Sequence, residues 1–410
     1  MTEAALSQPL APVAARDRVA SLDLIRGFAV LGILAVNAMT FFWPHAVSTL
    51  PALQPGWDGD AAAGWQIMDV FFRDKMRTLF SMLFGASIFL VGGERSDTAR
   101  GRLLRSRLFW LAVFGVVHGA AFWYGDILLL YACTGFVVLL ARSWPAKRLL
   151  IVGGLLCLVL SLLYVGLYGA MNFAPIQHVN ATAAQQGWGT TPERLAQQVA
   201  VFHGDALSVT LSQLRGWLSV GPAVVIAFLP MTASLMLIGM GLFKSGYLSG
   251  RAPTWLYAVM TGIGAAALGL IWFETGGILE GGFDFLPTIT RPAATVLVPL
   301  VSIAYASGLI LLLKAGARML LHPLMAVGRM AFTNYLTQTL IMTFLAYGGR
   351  GLGLYGEIGW PEMWGVIGGV WAAQLIWSPV WLHFFRMGPI EWAWRRLTYG
   401  RPIQLAKDAA

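Results

Sequence analysis

The sequence predicts an all-α polytopic membrane protein with about ten transmembrane helices and both termini cytoplasmic. Three observations predict it. Hydrophobic residues make up 57% of the 410 residues and charged residues 11%, less than half the roughly 25% charged content of soluble globular domains. The mean hydropathy of +0.68 is spread along the chain rather than confined to one anchor. Apolar runs long enough to cross a hydrocarbon core of roughly 30 Å recur throughout, with short connections.

The runs fall at about 22–42, 76–93, 107–124, 127–141, 149–171, 217–243, 254–273, 292–313, 324–346 and 363–385. Residues 1–20 lack the apolar core of a signal peptide and form a cytoplasmic tail ahead of a first helix that stays in the protein. The run at 127–141 is the shortest. Within the membrane domain, 21–386, only 172–216 is a large extramembrane segment: an extracytoplasmic cap carrying Asn180-Ala-Thr182 and a polar, helical-looking stretch from Pro192 to Leu214. The tail, 387–410, mixes Trp392, Trp394 and Tyr399 with Arg395 and Arg396, as a helix lying in the cytoplasmic interface would. With the N-terminus inside, 21 of the 28 Lys and Arg residues fall on the cytoplasmic side, in agreement with the positive-inside rule.

That bias accounts for the net charge of +9 without nucleic acid, for which no basic module exists. Cys133 and Cys157 sit inside apolar runs, so neither a disulfide framework nor a metal site is expected. No P-loop, HExxH or nucleophile-elbow motif occurs, and no internal repeat is visible. The lipid bilayer is the partner that composition assigns; oligomeric state is left open.

Ionisable and strongly polar side chains cost a few kcal/mol inside lipid unless they face a partner, water or the bundle interior, so they mark candidate sites. Four clusters qualify. Ser21, Asp23 and Arg26 begin the first helix, with Asn37 deeper in it. They read either as a capped helix start with a snorkelling arginine or as a site, and Asn37 either as interhelical glue or as a contact to substrate. Arg73, Lys75 and Arg77 enter a helix from the outside, against the charge bias. An anion or headgroup pocket would explain them, and so would pairing of Arg73 with Asp69 one turn earlier. His118 sits near the middle of its run, followed by a Gly125-Asp126 turn; it reads as a packing residue or as a proton-transfer group. Arg329, Asn334 and Gln338 lie on one stripe facing the bundle, as glue or as a site.

These motifs in order resemble the YeiB family, domain of unknown function 418, along essentially the whole chain. The resemblance rests on 22–37 (LDLIRGFAVLGILAVN), 75–85 (KMRTLFSMLFG), 118–128 (HGAAFWYGDIL), 328–341 (GRMAFTNYLTQTLI) and 388–396 (GPIEWAWRR). That family is grouped with the transmembrane acyltransferases, which include the acyltransferase-3 family and the heparan glucosaminide N-acetyltransferase type. The resemblance implies a multi-pass protein of the bacterial inner membrane that moves an acyl group from cytoplasmic acyl-CoA to an unknown acceptor in or across the membrane. Acyltransferase-3 proteins carry a histidine after ten positions following a basic residue; here Arg26 is followed at that spacing by Asn37. Either His118 supplies the base from another helix, or this branch does not acylate.

In the acyltransferase scheme His118 is the base and Asp126 its orienter, if the turn brings it back. Asn37, Asn334 and Gln338 are candidate oxyanion or acceptor contacts. Arg26 beside Asp23, Arg329 or the Arg100–Arg107 cluster would hold CoA phosphates, and Arg73, Lys75 and Arg77 would face the acceptor from outside. The alternative is a secondary transporter or flippase for a small metabolite or lipid, with the same polar residues as its binding site and His118 as proton carrier.

Overall fold

A computed structural model of the chain describes residues 19–54, 56–170, 192–283, 288 and 290–407; Asn180-Ala-Thr182 and most of the N-terminal tail lie outside these. Apart from short turns, the described residues form α1 (Ala20–Phe42), α2 (Gly59–Phe71), α3 (Lys75–Gly92), α4 (Thr98–Ala121), α5 (Leu128–Val138), α6 (Ala146–Gly169), α7 (Pro192–Phe202), α8 (Ala206–Lys244), α9 (Thr254–Glu280), α10 (Pro292–Lys314), α11 (His322–Arg329), α12 (Ala331–Ala346), α13 (Trp360–Phe384) and α14 (Pro389–Tyr399). Among the described residues, eight segments are long and apolar enough to cross a membrane, with α2 and α3 counted together. The shorter Leu128–Ala141 and the interrupted pair α11–α12 complete the ten expected runs. The protein is thus all-helical and multi-pass.

Several boundaries differ from expectation. The run expected at 107–124 begins at Thr98, capped by the Asp97 carboxylate on the Arg100 N–H. His118 therefore lies in the last turn of α4 rather than at its middle. The helix expected at 217–243 begins at Ala206 and runs 39 residues, so the end of the expected cap belongs to a membrane helix. The stretch Pro192–Leu214 is accordingly two helices, broken at 203–205, where the Asp205 carboxylate accepts from the Ser208 N–H and caps α8. The segment 59–71 adds a helix, α2, ahead of the second run.

Alternate crossings place the helix ends on two faces. On the basic face Lys244 donates to the Arg142 and Trp144 carbonyls at 2.7 and 3.0 Å. On the far face the His203 ring meets the Tyr355 carbonyl at 2.7 Å, and the Trp43 indole donates to the Ile358 carbonyl at 3.0 Å. Phe202, Tyr347 and Tyr355 stack there, which fastens the end of α7 to the bundle.

Without a hydrophobic drive between helices in lipid, close approach depends on small residues. Gly85 of α3 faces the Met236 carbonyl of α8, and Gly239 of α8 faces the Met82 carbonyl of α3; a Cβ on either would overlap the opposing backbone. Gly27 and Gly328 bring α1 and α11 together in the same reciprocal way. Gly239→Ala is expected to destabilise the protein by about 1–3 kcal/mol, because no flexible side chain can give way. Thermal unfolding in detergent, with Gly262→Ala on open helix surface as control, checks this; equal midpoints for the two variants would rule out a tight crossing.

Candidate active site

α4 ends at Ala121, and the turn that follows reverses the chain into α5. The turn carries Asp126, whose Oδ2 accepts from the Leu129 N–H at 2.9 Å and so starts α5, while Oδ1 lies 2.8 Å from His118 Nδ1. The other ring nitrogen, Nε2, lies 3.0 Å from Thr339 Oγ1 on α12. Both His118 and Asp126 are buried, with 4% and 1% of their side chains exposed. With the Asp126 carboxylate accepting, Nδ1 carries the ring proton and Nε2 offers its lone pair to the Thr339 hydroxyl. Gly115 lies one turn before His118, where any Cβ would strike the Leu129 backbone; its absence lets α5 approach.

A cavity of about 250 Å³ opens at the basic face and runs inward between α1, α3, α4, α5, α12 and α14. Arg26, Arg107, Arg329 and Arg395 stand among its lining residues, with Asp23 and Glu391. Deeper, the walls are Ile33, Phe84, Leu111, Leu128, Tyr131 and Tyr335. From Asp23 to Ile33 is ten residues of helix, roughly 15 Å of rise, about half the hydrocarbon thickness. The Tyr335 ring lies 5.4 Å from the His118 ring and lines the inner end of the cavity, while its own hydroxyl donates to no acceptor among the described residues. The Trp123 indole N–H, with its ring 6.3 Å from His118, is likewise buried and without a partner among the described residues.

The C-terminal helix forms part of this wall. Arg107 stacks on the Trp394 ring at 3.8 Å, and the Trp394 indole donates to the Arg107 carbonyl at 3.0 Å. Glu391 is buried and accepts from the Phe332 and Thr333 N–H groups at 2.7 and 3.1 Å, and from the Thr333 hydroxyl. Those amides belong to the first turn of α12, left without helical partners by the break at Met330, so the carboxylate caps the half-helix. Burial raises the Glu391 carboxyl above its usual range, with the Thr333 hydrogen bonds opposing.

The structure brings together some of the expected residues and separates others. Arg26, bonded to Asp23 at 3.0 Å, and Arg329 share the cavity. Of the Arg100–Arg107 cluster, only Arg107 lines it; Arg100 donates to the Val91 carbonyl at 2.9 Å. Asn334 and Gln338 do not line it. Asn334 Nδ2 donates to the Val327 carbonyl and the Ser378 hydroxyl, and its Oδ1 accepts from the Trp377 indole. Gln338 Nε2 donates to the Val30 carbonyl and to Gln374 Oε1. With both N–H groups of each amide engaged, neither has a donor left for an oxyanion, and their geometry is that of glue between α1, α12 and α13. Asn37 is half-buried and joins no part of this arrangement; its backbone carbonyl accepts from Thr40.

The outer basic cluster is held by pairs of its own. Asp69 is fully buried and is held by Arg73 at 2.9 Å, by both terminal nitrogens of Arg291, and by the Thr275 hydroxyl at 3.1 Å. Lys75, 1% exposed, donates to the Asp69 carbonyl at 2.8 Å, and Arg77 pairs with Asp74 at 3.0 Å. Pairing of Arg73 with Asp69 thus explains the basic run, and Arg291, over 200 positions away, completes it.

The YeiB protein of Escherichia coli K12 is 31% identical over 412 residues, covering 93% of this chain and 96% of that protein. The chain belongs to the YeiB family. The model of the protein of unknown function family DUF418 matches residues 242–401, from the end of α8 to α14. YxaH of Bacillus subtilis 168 is another relative, 31% identical and covering 95% of this chain and 96% of its own length. A 39.9 kDa protein encoded in the amylase 3′ region of Bacillus acidopullulyticus is 28% identical over 97% of this chain. No solved structure matches the chain. Thr339, which the sequence analysis passed over, lies inside the YeiB-like stretch 328–341.

Proposed function

We propose that the protein is an acyl-CoA-dependent acyltransferase of the bacterial cytoplasmic membrane. One observation carries this reading: the His118–Asp126 pair lies behind Tyr335 at the inner end of an amphipathic cavity with four arginines in its lining. A phosphorylated nucleotide suits the arginines, and a thioester chain suits the apolar walls. The arginines near the mouth are where the nucleotide would sit, with the chain reaching inward along the apolar walls. His118 Nε2 is the base for acyl transfer, and the Tyr335 hydroxyl is the donor we assign to a developing oxyanion. Rotation of the Tyr335 ring is the movement that would join cavity and base.

Acetyl-CoA and longer acyl-CoAs are expected to raise the unfolding temperature of the detergent-purified protein, by mass action equivalent to about 2.7 kcal/mol at one hundred times Kd. CoA lacking the 3′-phosphate should stabilise less, and Arg26→Ala should weaken every shift. Folded protein that shows no shift at millimolar ligand would defeat the proposal. It would favour a solute carrier instead, for which the helix break at Met330 is the supporting feature; flux into proteoliposomes would then be the readout.

A further inference from the structure

We propose that Thr339 is a nucleophile, acylated by the bound thioester before the acyl group reaches its acceptor; the inference rests on the acyltransferase reading. Thr339, His118 and Asp126 form a hydroxyl–imidazole–carboxylate chain with links of 3.0 and 2.8 Å, the relation by which a base activates a weak nucleophile and a third group orients the base. The behaviour of neighbouring threonines sets Thr339 apart. Thr337 and Thr343, on the same helix, turn their hydroxyls back onto the Thr333 and Thr339 carbonyls, the local bond open to any helical threonine. Thr339 forgoes that bond, and its hydroxyl meets the imidazole of α4.

Position gives the hydroxyl a use that a packing contact would not need. Tyr335, Thr339 and Thr343 follow at intervals of four on α12 and share one face. Tyr335 lines the cavity from the basic face. Thr343 lines a second, shallower space of about 390 Å³ toward the far face, bounded by Ala121, Phe122, Thr210 and Arg350. Thr339 lies one turn from each and opens to neither, being 2% exposed. An acyl group parked there could be received from one side and released to the other without a continuous passage between them.

In the first step the Thr339 oxygen attacks the thioester carbonyl and its proton passes to His118 Nε2. The C–S bond then breaks, and His118 returns the proton to the leaving thiolate, giving free CoA thiol and a threonine ester. In the second step an acceptor hydroxyl or amine attacks the ester carbonyl and its proton passes to Nε2. The C–O bond to Thr339 breaks, and the proton goes back to the threonine oxygen.

The test incubates the full-length protein in detergent with acetyl-CoA, then with palmitoyl-CoA, in the absence of acceptor. Binding is followed by thermal shift, thiol release by a chromogenic reagent, and intact mass by spectrometry. Wild type should gain the mass of one acyl group, mapped to the α12 segment, with matching thiol release. Thr339→Ser should keep the adduct; Thr339→Val and His118→Gln should lose it while keeping the thermal shift. Bound ligand with no adduct and no thiol release would overturn the inference, as would an adduct that survives Thr339→Val, and both leave direct transfer from the thioester standing. Absence of any thermal shift would overturn the acyltransferase reading itself and the inference with it.

Discussion

His118→Gln is expected to lower acyl transfer by about 10²–10⁴-fold, the usual range for loss of a general base, while leaving the acyl-CoA thermal shift intact. The separation follows from position: the cavity that would hold the ligand is lined by Arg26, Arg107 and Tyr335, and His118 stands behind it. Glutamine retains a hydrogen-bonding end for Asp126 or Thr339 but cannot carry a proton between them. Asp126→Asn is expected to act in the same direction through the tautomer, because an amide that donates to Nδ1 leaves the proton on Nε2, where the lone pair is needed. The measurement is labelled acetyl transfer from acetyl-CoA into membrane lipid and carbohydrate fractions, alongside the thermal shift of each variant. Undiminished transfer by folded His118→Gln protein would remove the imidazole from the chemistry.

Asp69→Asn carries the largest expected effect on stability. The carboxylate is fully buried against Arg73 and Arg291. Removing its charge takes away the carboxylate that both guanidinium groups share, which costs about 3–5 kcal/mol for a buried pair. Asp74→Asn is the control. Asp74 is half exposed, its partnership with Arg77 is a surface pair worth at most about 1 kcal/mol, and asparagine tolerates the left-handed backbone at φ 60°. Thermal unfolding should therefore separate the two variants clearly. If Asp69→Asn unfolds no earlier than Asp74→Asn, the outer cluster is not a structural clamp, and an anion-binding role for Arg73 returns.

The membrane architecture was legible because lipid imposes a length on each crossing, and eight of the ten runs are helices long and apolar enough to span. Boundaries were misread wherever a helix outruns the bilayer. The first turns of α4 carry Arg100, Arg102 and Arg105, which an apolar window rejects, so the helix seemed to start late and His118 seemed central. Residues 58–71 mix Trp65 and Met68 with Asp58, Asp60 and Asp69, and only the far side of the bundle shows why a helix forms there. His118 and Asp126 could be nominated as a pair because a tight turn separates them by eight positions. Thr339 could not, because a threonine in an apolar helix is unremarkable until its hydroxyl is seen to leave its own backbone. Asn334 and Gln338 gave the opposite difficulty: their shared face was correct, but the partners that use up their donors, Gln374 and Ser378, lie on another helix.

The placement of α14 bears on how the protein is made. Ribosomal synthesis delivers α1 and α4 to the membrane long before Glu391 and Trp394 leave the exit tunnel, yet those two residues close the wall of a cavity that α1 and α4 begin. Insertion and completion of the site are therefore separate events in time: every crossing can be threaded while the pocket still lacks a side. A chain cut before Pro389 would keep every membrane crossing and lack one wall of that cavity.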